Sequence, residues 1–285
     1  MNYCIIIPAH NEEAFLASCL DAILIQTRLP QKVVVVNDNS TDRTAAIASE
    51  FMAKSDIFER VDTTSSNVHM PGSKVINAFY KGIDRIPETY DFIVKLDADI
   101  ILPADYFERI ASVFEEYPQV GIAGGFAYEQ NKNGDWELNH PMNKDHVRGA
   151  FKAYSKTCFQ AIGGLKNAMG WDTVDELLAQ YHGYEIHTVD QLKTKHLRPL
   201  GKAYNKKAKL LQGQAMYTMR YGFWISCIAS LKMAWNQKKI NAFFDNMKGY
   251  HQAKKKKVPF LVTVEEGAFI RKLRWTNIKK KIVRK

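Results

Sequence analysis

Two hydrophobic patterns alternate along the first hundred residues. Continuous apolar runs at Cys4–Ile7 and Val33–Val36, and the run formed by Ile93, Val94 and Leu96, have the character of strands buried on both faces. After the first run, Phe15, Leu16, Cys19, Leu20 and Ile23 fall at helical spacing. After the second, the polar cluster Asn37–Thr44 leads into a helix expected to begin near Ser40–Asp42. Pro8 predicts that the first strand leaves the sheet there. Asn11 reads as the cap of a helix whose first turn carries Glu12 and Glu13. Ser40 and Asp42 read as turn and cap residues. Strand–loop–helix units of this kind build an open α/β sheet that binds ligands at the carboxyl ends of its strands.

The third run ends in Asp97-Ala98-Asp99. At strand spacing, residues two apart point to the same side. Two carboxylates aimed at one point suit a hard divalent cation, which can in turn hold a diphosphate. Asp38, just past the tip of the second run, is placed to accept a hydrogen bond from a nucleobase ring N–H. Between these runs, Gly72 permits a close backbone approach, and Lys74 enters a helix behind it with Asn77 one turn further.

Beyond the third run the pattern is less regular. Leu102–Asp105 stops the strand, and Tyr106, Phe107, Ile110 and Phe114 form a helical stripe expected in the core. Gly121, Gly124 and Gly125 predict a sheet element close to substrate. The stretch from Trp136 to His146 is polar with an aromatic; His140, Asp145, His146 and Arg148 are candidates to line a pocket, but they read in preference as loop surface. Val147–Tyr154 alternates weakly, as an edge strand does, and Cys158–Gly164 reads as a short helix closed by its two glycines. Asp172, Asp175 and Glu176 crowd the start of a helix, where the macrodipole favours them. A strand expected at Tyr184–Val189 precedes His196, a candidate third metal ligand or phosphate contact. Arg198 is a candidate diphosphate partner through its planar fork.

Charge changes this picture at one end of the chain. Residues 202–285 carry 21 Lys and Arg against 3 Asp and Glu, whereas residues 1–201 carry 19 against 27. The apolar run Tyr221–Leu231 is shorter than the roughly 20 residues that a membrane span needs. Phe269–Lys285 interleaves Phe269, Ile270, Leu273, Trp275 and Ile278 with eight Lys and Arg, the composition of helices that lie on an anionic bilayer. The 285 residues, 46% apolar, suit one large domain with an appendage. Four scattered cysteines indicate neither a zinc site nor a disulfide framework. With no signal-peptide pattern at the start, the expectation is a cytoplasmic protein held peripherally on the inner face of the cell membrane. No nucleic-acid partner is expected, because no recognition motif accompanies the basic tail.

Together the motifs resemble those of family 2 glycosyltransferases. Ile5–Glu13 looks like their opening motif. Val33–Thr44 resembles V-x-D-x-S-T-D-x-T, with Asn37 where an Asp is more usual, and Asp97-Ala98-Asp99 is similar to their D-x-D. Order and spacing agree over roughly residues 3–200. The resemblance implies a GT-A fold: an α/β, Rossmann-like mixed sheet flanked by helices over residues 1–201, followed by a basic helical extension over 202–285. The nucleotide-binding half is expected at about 1–101 and the acceptor half at about 102–201. The resemblance also implies inverting transfer from a nucleotide-sugar, UDP-linked by preference, to a saccharide or lipid-linked acceptor, with Mn or Mg as cofactor. Such a reaction suits cell-surface polysaccharide assembly. Pro8, Ala9, Asn11, Glu12, Asp38, Lys74, Asp97 and Ala98 are implied at the nucleotide, and Asp97 and Asp99 at the metal, with His196 beside them. The family places an acidic pair, usually E-D, about a dozen residues before a G-Y helix end. Counting back from Gly183-Tyr184 gives Trp171-Asp172, so Trp171 replaces the usual acid and Asp172 keeps the second carboxylate. Asp175, one turn along, is the competing base. A sugar-nucleotide pyrophosphorylase shares the general fold, but it would want a Gly-rich basic loop where Pro8–Glu13 is acidic. The rival from another class is a non-catalytic membrane- or RNA-binding protein that uses the basic tail.

Overall fold

A computed structural model describes residues 1–64, 72–139, 146–198 and 206–283. His140, Asp145 and the boundary expected at 201/202 lie outside the described residues. The first half alternates β1 (Tyr3–Ala9), α1 (Leu16–Leu24), β2 (Lys32–Asp38), α2 (Thr44–Lys54), β3 (Phe58–Thr63), α3 (Ser73–Ile83) and β4 (Phe92–Leu96). These four strands are parallel, in the order β3-β2-β1-β4. Ile5, Ile6, Val33, Val34, Ile93 and Val94 are fully buried, as two-sided apolar runs require. β1 does not end at Pro8, which pairs with Val36. Its pairing with β4 stops at Ile6, so the missing proline N–H leaves no ladder bond unmade on that side.

The expected helix starts also move. Asn11 adopts φ 55° and caps nothing; its Oδ1 accepts from the Thr41 N–H at 2.8 Å, tying two strand tips together. α1 begins only at Leu16. α2 begins at Thr44, whose N–H donates to Asp42 Oδ1 at 2.9 Å.

The second half adds β5 (Ile100–Ile101), α4 (Tyr106–Glu116), β6 (Val120–Gln130), β7 (Trp136–Leu138), β8 (Phe151–Ser155), α5 (Lys156–Ala161), α6 (Trp171–Tyr181) and β9 (Glu185–His196). The sheet continues β4-β8-β6-β9-β5, with β7 on β6. β8 is therefore no edge strand. It lies antiparallel between β4 and β6, and its alternation misleads because Lys152 is buried with acidic partners. The glycines of β6 serve packing rather than substrate: a Cβ on Gly121 would lie 2.5 Å from Cys158 Sγ, and one on Gly125 would lie 2.3 Å from the Leu192 carbonyl oxygen. β9 runs on through a register shift beside Gly124, so His196 ends the strand instead of following it.

β4 and β5 are four strands apart in the sheet, about 19 Å if flat. The chain from Leu96 to Ile100 reaches at most about 14 Å. The sheet must therefore curl, and the turn holding Asp97 and Asp99 bridges the curl.

The basic tail forms α7 (Lys206–Thr218), α8 (Phe223–Asn236), α9 (Asn241–Lys255) and α10 (Val264–Val283). α7 and α9 touch backbone to backbone: a Cβ on Gly213 would lie 1.8 Å from the Asn246 carbonyl oxygen. α10 packs on α6 and α8, with Ile270 fully buried. Among the described residues, no helix is long and apolar enough to cross a membrane.

Candidate active site

The tips of β1, β2 and β4 bring the sequence candidates to one edge of the sheet. The loop after β1 is fixed by the loop after β2: the Asn11 N–H donates to Ser40 Oγ at 3.0 Å, and the Glu12 N–H donates to Thr44 Oγ1 at 2.7 Å. His10 Nδ1 lies 2.6 Å from the Asp38 carbonyl oxygen. Ala9, Asp38 and Ala98 are buried at these tips, and Pro8 and Glu12 are half-buried. Asn37 donates to Asp62 Oδ1 at 2.7 Å, so the residue that departs from the family pattern supports β3.

Asp97 and Asp99 are held differently. Asp97 pairs with the buried Lys95, and its side chain stays 34% exposed. Burial holds the Asp97 carboxyl above the usual range, Lys95 opposes this, and Asp99 adds to it. Asp99 Oδ2 lies 3.3 Å from His196 Nε2 and 3.6 Å from Arg198 Nε. Burial works against its ionisation too, but His196 and Arg198 outweigh it and hold Asp99 below the usual range. Glu12 pairs with Arg198 across the same space, and burial pushes its carboxyl up to about 7, with Asp99 and Asp97 adding to the shift. Negative charge is thus concentrated beyond what Lys95, His196 and Arg198 relieve.

Both His196 nitrogens are engaged, Nε2 by Asp99 and Nδ1 by Glu129 at 3.6 Å. Burial disfavours its charged form, but these carboxylates win and hold the imidazole above its usual pKa. Among the described residues, no three His, Cys, Asp or Glu side chains gather into a metal cage. Asp97 and Asp99 nonetheless fit a cation that arrives with a diphosphate, because such ions are commonly held by one or two carboxylates plus substrate phosphates.

A cavity of about 1030 Å³ opens beside Asp97 and contains Lys95, Arg148, Gly149, Trp171 and Asp172 on its wall. Gly149 makes room for the Trp171 indole: a Cβ there would lie 2.8 Å from the ring. Two ammonium groups approach the indole, Lys95 Nζ at 5.2 Å and Lys152 Nζ at 6.0 Å from its centroid. Asp172 is half-buried at the cavity wall. Asp175 is away from it, fully buried, with Lys152 Nζ at 3.1 Å and the Tyr154 hydroxyl donating at 2.5 Å. Lys152 also donates to Glu176 at 2.9 Å and to the Asp172 carbonyl at 2.7 Å, which pins the first turn of α6. Gly72 and Val75 line the cavity, and Lys74 lies partly buried between them. Asn77 is bonded to Asn167.

Arg148, read from sequence as loop surface in preference to pocket lining, is on the cavity wall, and Lys95 and Lys152 escaped the sequence reading. The available signal was a lysine inside each of two otherwise buried strands.

A parallel half-sheet with acidic tips, curling into a mixed half beside a large cavity, defines the GT-A class of glycosyltransferase fold. The chain belongs to glycosyl transferase family 2, whose model matches residues 4–165. It is 25% identical over 247 residues to the glycosyltransferase GlyA of Streptococcus pneumoniae, covering 85% of this chain and 33% of that protein. It is 31% identical over 161 residues to the uncharacterized glycosyltransferase EpsJ of Bacillus subtilis, covering 54% and 44%. The chain thus spans less than half the length of both relatives. Among solved structures, S. aureus TarS with UDP-GlcNAc superposes with a TM-score of 0.58 at 16% identity, covering 77% of this chain and 67% of that one. The mannosyltransferase PcManGT of Pyrobaculum calidifontis, with GDP-Man and Mn2+, superposes with a TM-score of 0.57 at 16% identity, covering 97% and 80%.

Proposed function

We propose that this chain is an inverting, divalent-metal-dependent glycosyltransferase that moves a sugar from a nucleotide-sugar, by preference UDP-linked, to a saccharide or lipid-linked acceptor. The observation that carries this reading is that Asp97 and Asp172 line one cavity. In this reading, residues 1–201 are the catalytic unit and 202–285 the tail. Asp38 and the Pro8–Glu12 loop hold the nucleoside, and Lys74 stands by the diphosphate. Asp97 and Asp99 would hold Mn or Mg with donor phosphate oxygens, the ion supplying neutralisation of charge on the leaving nucleoside diphosphate. His196 keeps Asp99 ionised. UDP-GlcNAc on TarS, and GDP-Man with Mn2+ on PcManGT, support a nucleotide-sugar and a metal.

Asp172 takes the proton of the acceptor hydroxyl as its oxygen attacks the anomeric carbon. The bond from that carbon to the diphosphate oxygen breaks as the new one forms, and the leaving group carries away the electron pair. A single displacement inverts the carbon. Asp175, held by Lys152 and Tyr154, acts as support for α6. The exposed outer residues of α8, Trp224, Leu231 and Trp235, with the tail's excess of cations, support peripheral binding to the inner face of the cell membrane and a role in cell-surface polysaccharide assembly.

The test incubates a panel of nucleotide-sugars with Mn and follows nucleoside diphosphate release. Asp99→Ala should abolish release, and Asp172→Asn should abolish transfer while sparing donor binding. Pyrophosphate release from sugar-1-phosphate and a nucleoside triphosphate would identify a pyrophosphorylase instead.

A further inference from the structure

The cavity does not stop at Asp172. It continues between α7, α8 and α10, where an apolar strip rich in methionine (Met169, Met216, Met219, Ile225, Met233 and Ile278) runs beside the polar Gln212, Lys232, Asn236 and Asn277. Thioether side chains of this kind adapt to a flexible apolar chain. A saccharide alone does not call for such a wall. At about 1030 Å³, the cavity also lies at the upper limit of ordinary small-molecule sites, roughly 300–1,000 Å³.

Two guanidinium groups line the same cavity. Arg148 Nη2 donates to Asn139 Oδ1 at 2.7 Å, and Arg274 Nη2 donates to the Tyr221 hydroxyl at 2.6 Å. In both, the Nε–H is buried with no acceptor among the described residues. A buried donor left unpaired is costly, and an anion toward which the guanidinium turns removes that cost. Arg148 stands beside the catalytic groups, whereas Arg274 stands on α10 beside the apolar wall. One more residue shows where this end leads. Ile228 of α8 lines the cavity and is 38% exposed, on the same helix as the exposed Trp224, Leu231 and Trp235. The cavity therefore reaches the surface along the apolar outer face of α8.

We infer that the tail-side end of the cavity binds the hydrocarbon chain and phosphate of a lipid-phosphate acceptor, with Arg274 as the residue that recognises the phosphate. The inference rests on the glycosyltransferase reading for calling this ligand an acceptor. The hydrocarbon lies along the methionine wall and leaves past Ile228, and the saccharide or hydroxyl to be extended points toward Asp172. The tail is thus part of the substrate site as well as a surface for docking.

The test titrates the full chain calorimetrically with decyl phosphate below its micelle concentration, and with decyl maltoside and inorganic phosphate as separate arms. Decyl phosphate should bind at least roughly tenfold more tightly than either, since one charge-assisted hydrogen bond is worth about that factor. Arg274→Gln should lose about tenfold for decyl phosphate and leave decyl maltoside unchanged. Ile278→Asp, at a half-buried position on the same wall, should weaken decyl phosphate in the same way if Arg274→Gln does not fold. Equal affinity for decyl phosphate and decyl maltoside would overturn the inference, as would inorganic phosphate binding as well as decyl phosphate, or a folded variant with unchanged affinity. Nucleoside diphosphate binding in Mn is measured on the same proteins. If it holds while alkyl phosphate binding ignores both variants, only this inference falls. If it is absent while the alkyl phosphate still depends on Arg274, the lipid-phosphate site stands and the transferase reading falls.

Discussion

Asp172 and Asp175 lie within one turn of α6 and meet different surroundings: one is on the wall of the active-site cavity, the other is sealed among Lys152, Tyr154 and Glu176. From sequence Asp172 was preferred only by its distance from Gly183-Tyr184, with Asp175 the competing base, because nothing in the residue order shows which way each one faces. Burial separates them. Asp172→Asn is expected to lower kcat/KM by about 10²–10⁴, the usual worth of a positioned base, with an unchanged melting temperature. Asp175→Asn is expected to act chiefly on stability. Steady-state rates beside thermal melts of both variants check this, and a catalytic loss confined to Asp175→Asn would reverse the assignment. The place of Asp97 and Asp99 was legible because they directly follow a buried apolar strand, and the structure sets them at the tip of β4. Lys95 and Lys152 were not, because a single cation in an apolar run reads as an outward-facing position.

At the scale of elements, α6 is held from beneath by β8. Removing the Lys152 ammonium leaves Asp175 and Glu176 buried without their shared cation. Lys152→Met should therefore destabilise the fold by about 3–5 kcal/mol in denaturant titrations. The same cluster sets a pH dependence. Burial raises Asp175 from 3.8 to about 6, with Lys152 opposing and Glu176 adding. Between those values the folded state binds a proton that the unfolded state does not, so this contribution grows as pH falls from about 6 toward 3.8 and is lost as pH rises through 6. Relative to Asp175→Asn, the wild type should gain stability on acidification through that window, by up to about 3 kcal/mol; a flat difference would contradict it. In the tail, Gly213→Ala should cost about 1–3 kcal/mol, because a methyl cannot fit 1.8 Å from the Asn246 carbonyl oxygen.

The same scale explains what the pattern of the chain could convey. β1, β2 and β4 were plain, since parallel strands buried on both faces leave apolar runs, broken in β4 only by Lys95. β8 and β9 were misread because their partners are remote in sequence: the alternation of β8 reflects Lys152 and its acidic partners, and the length of β9 depends on Gly125 admitting the Leu192 carbonyl. Asn11 was read as a cap because residue type suits that role, yet the competing bond to Thr41 comes from a loop some thirty residues away.

At the scale of the whole molecule, the charge asymmetry and the exposed aromatic residues belong to the same four-helix tail. Anionic vesicles should co-sediment the protein, with binding falling as salt rises. Trp224→Ala together with Trp235→Ala should weaken it several-fold while leaving donor hydrolysis intact, since those side chains are 70% and 85% exposed. Equal binding to neutral vesicles, or no effect of the double variant, would remove the membrane from the account. The tail helices also supply one side of the cavity, so the acidic first part of the chain and the basic tail line the same space.

The whole account converges on a carboxylate pair that receives a nucleotide together with a cation. Calorimetric titration of UDP, GDP, CDP and dTDP into the wild type and Asp99→Ala, in Mn and again in EDTA, addresses it directly. At least one nucleotide should bind the wild type in Mn, and that binding should disappear both in EDTA and in Asp99→Ala. A wild-type protein that binds none of the four in Mn, or one whose nucleotide affinity in Mn is unchanged by EDTA and by Asp99→Ala, would contradict it.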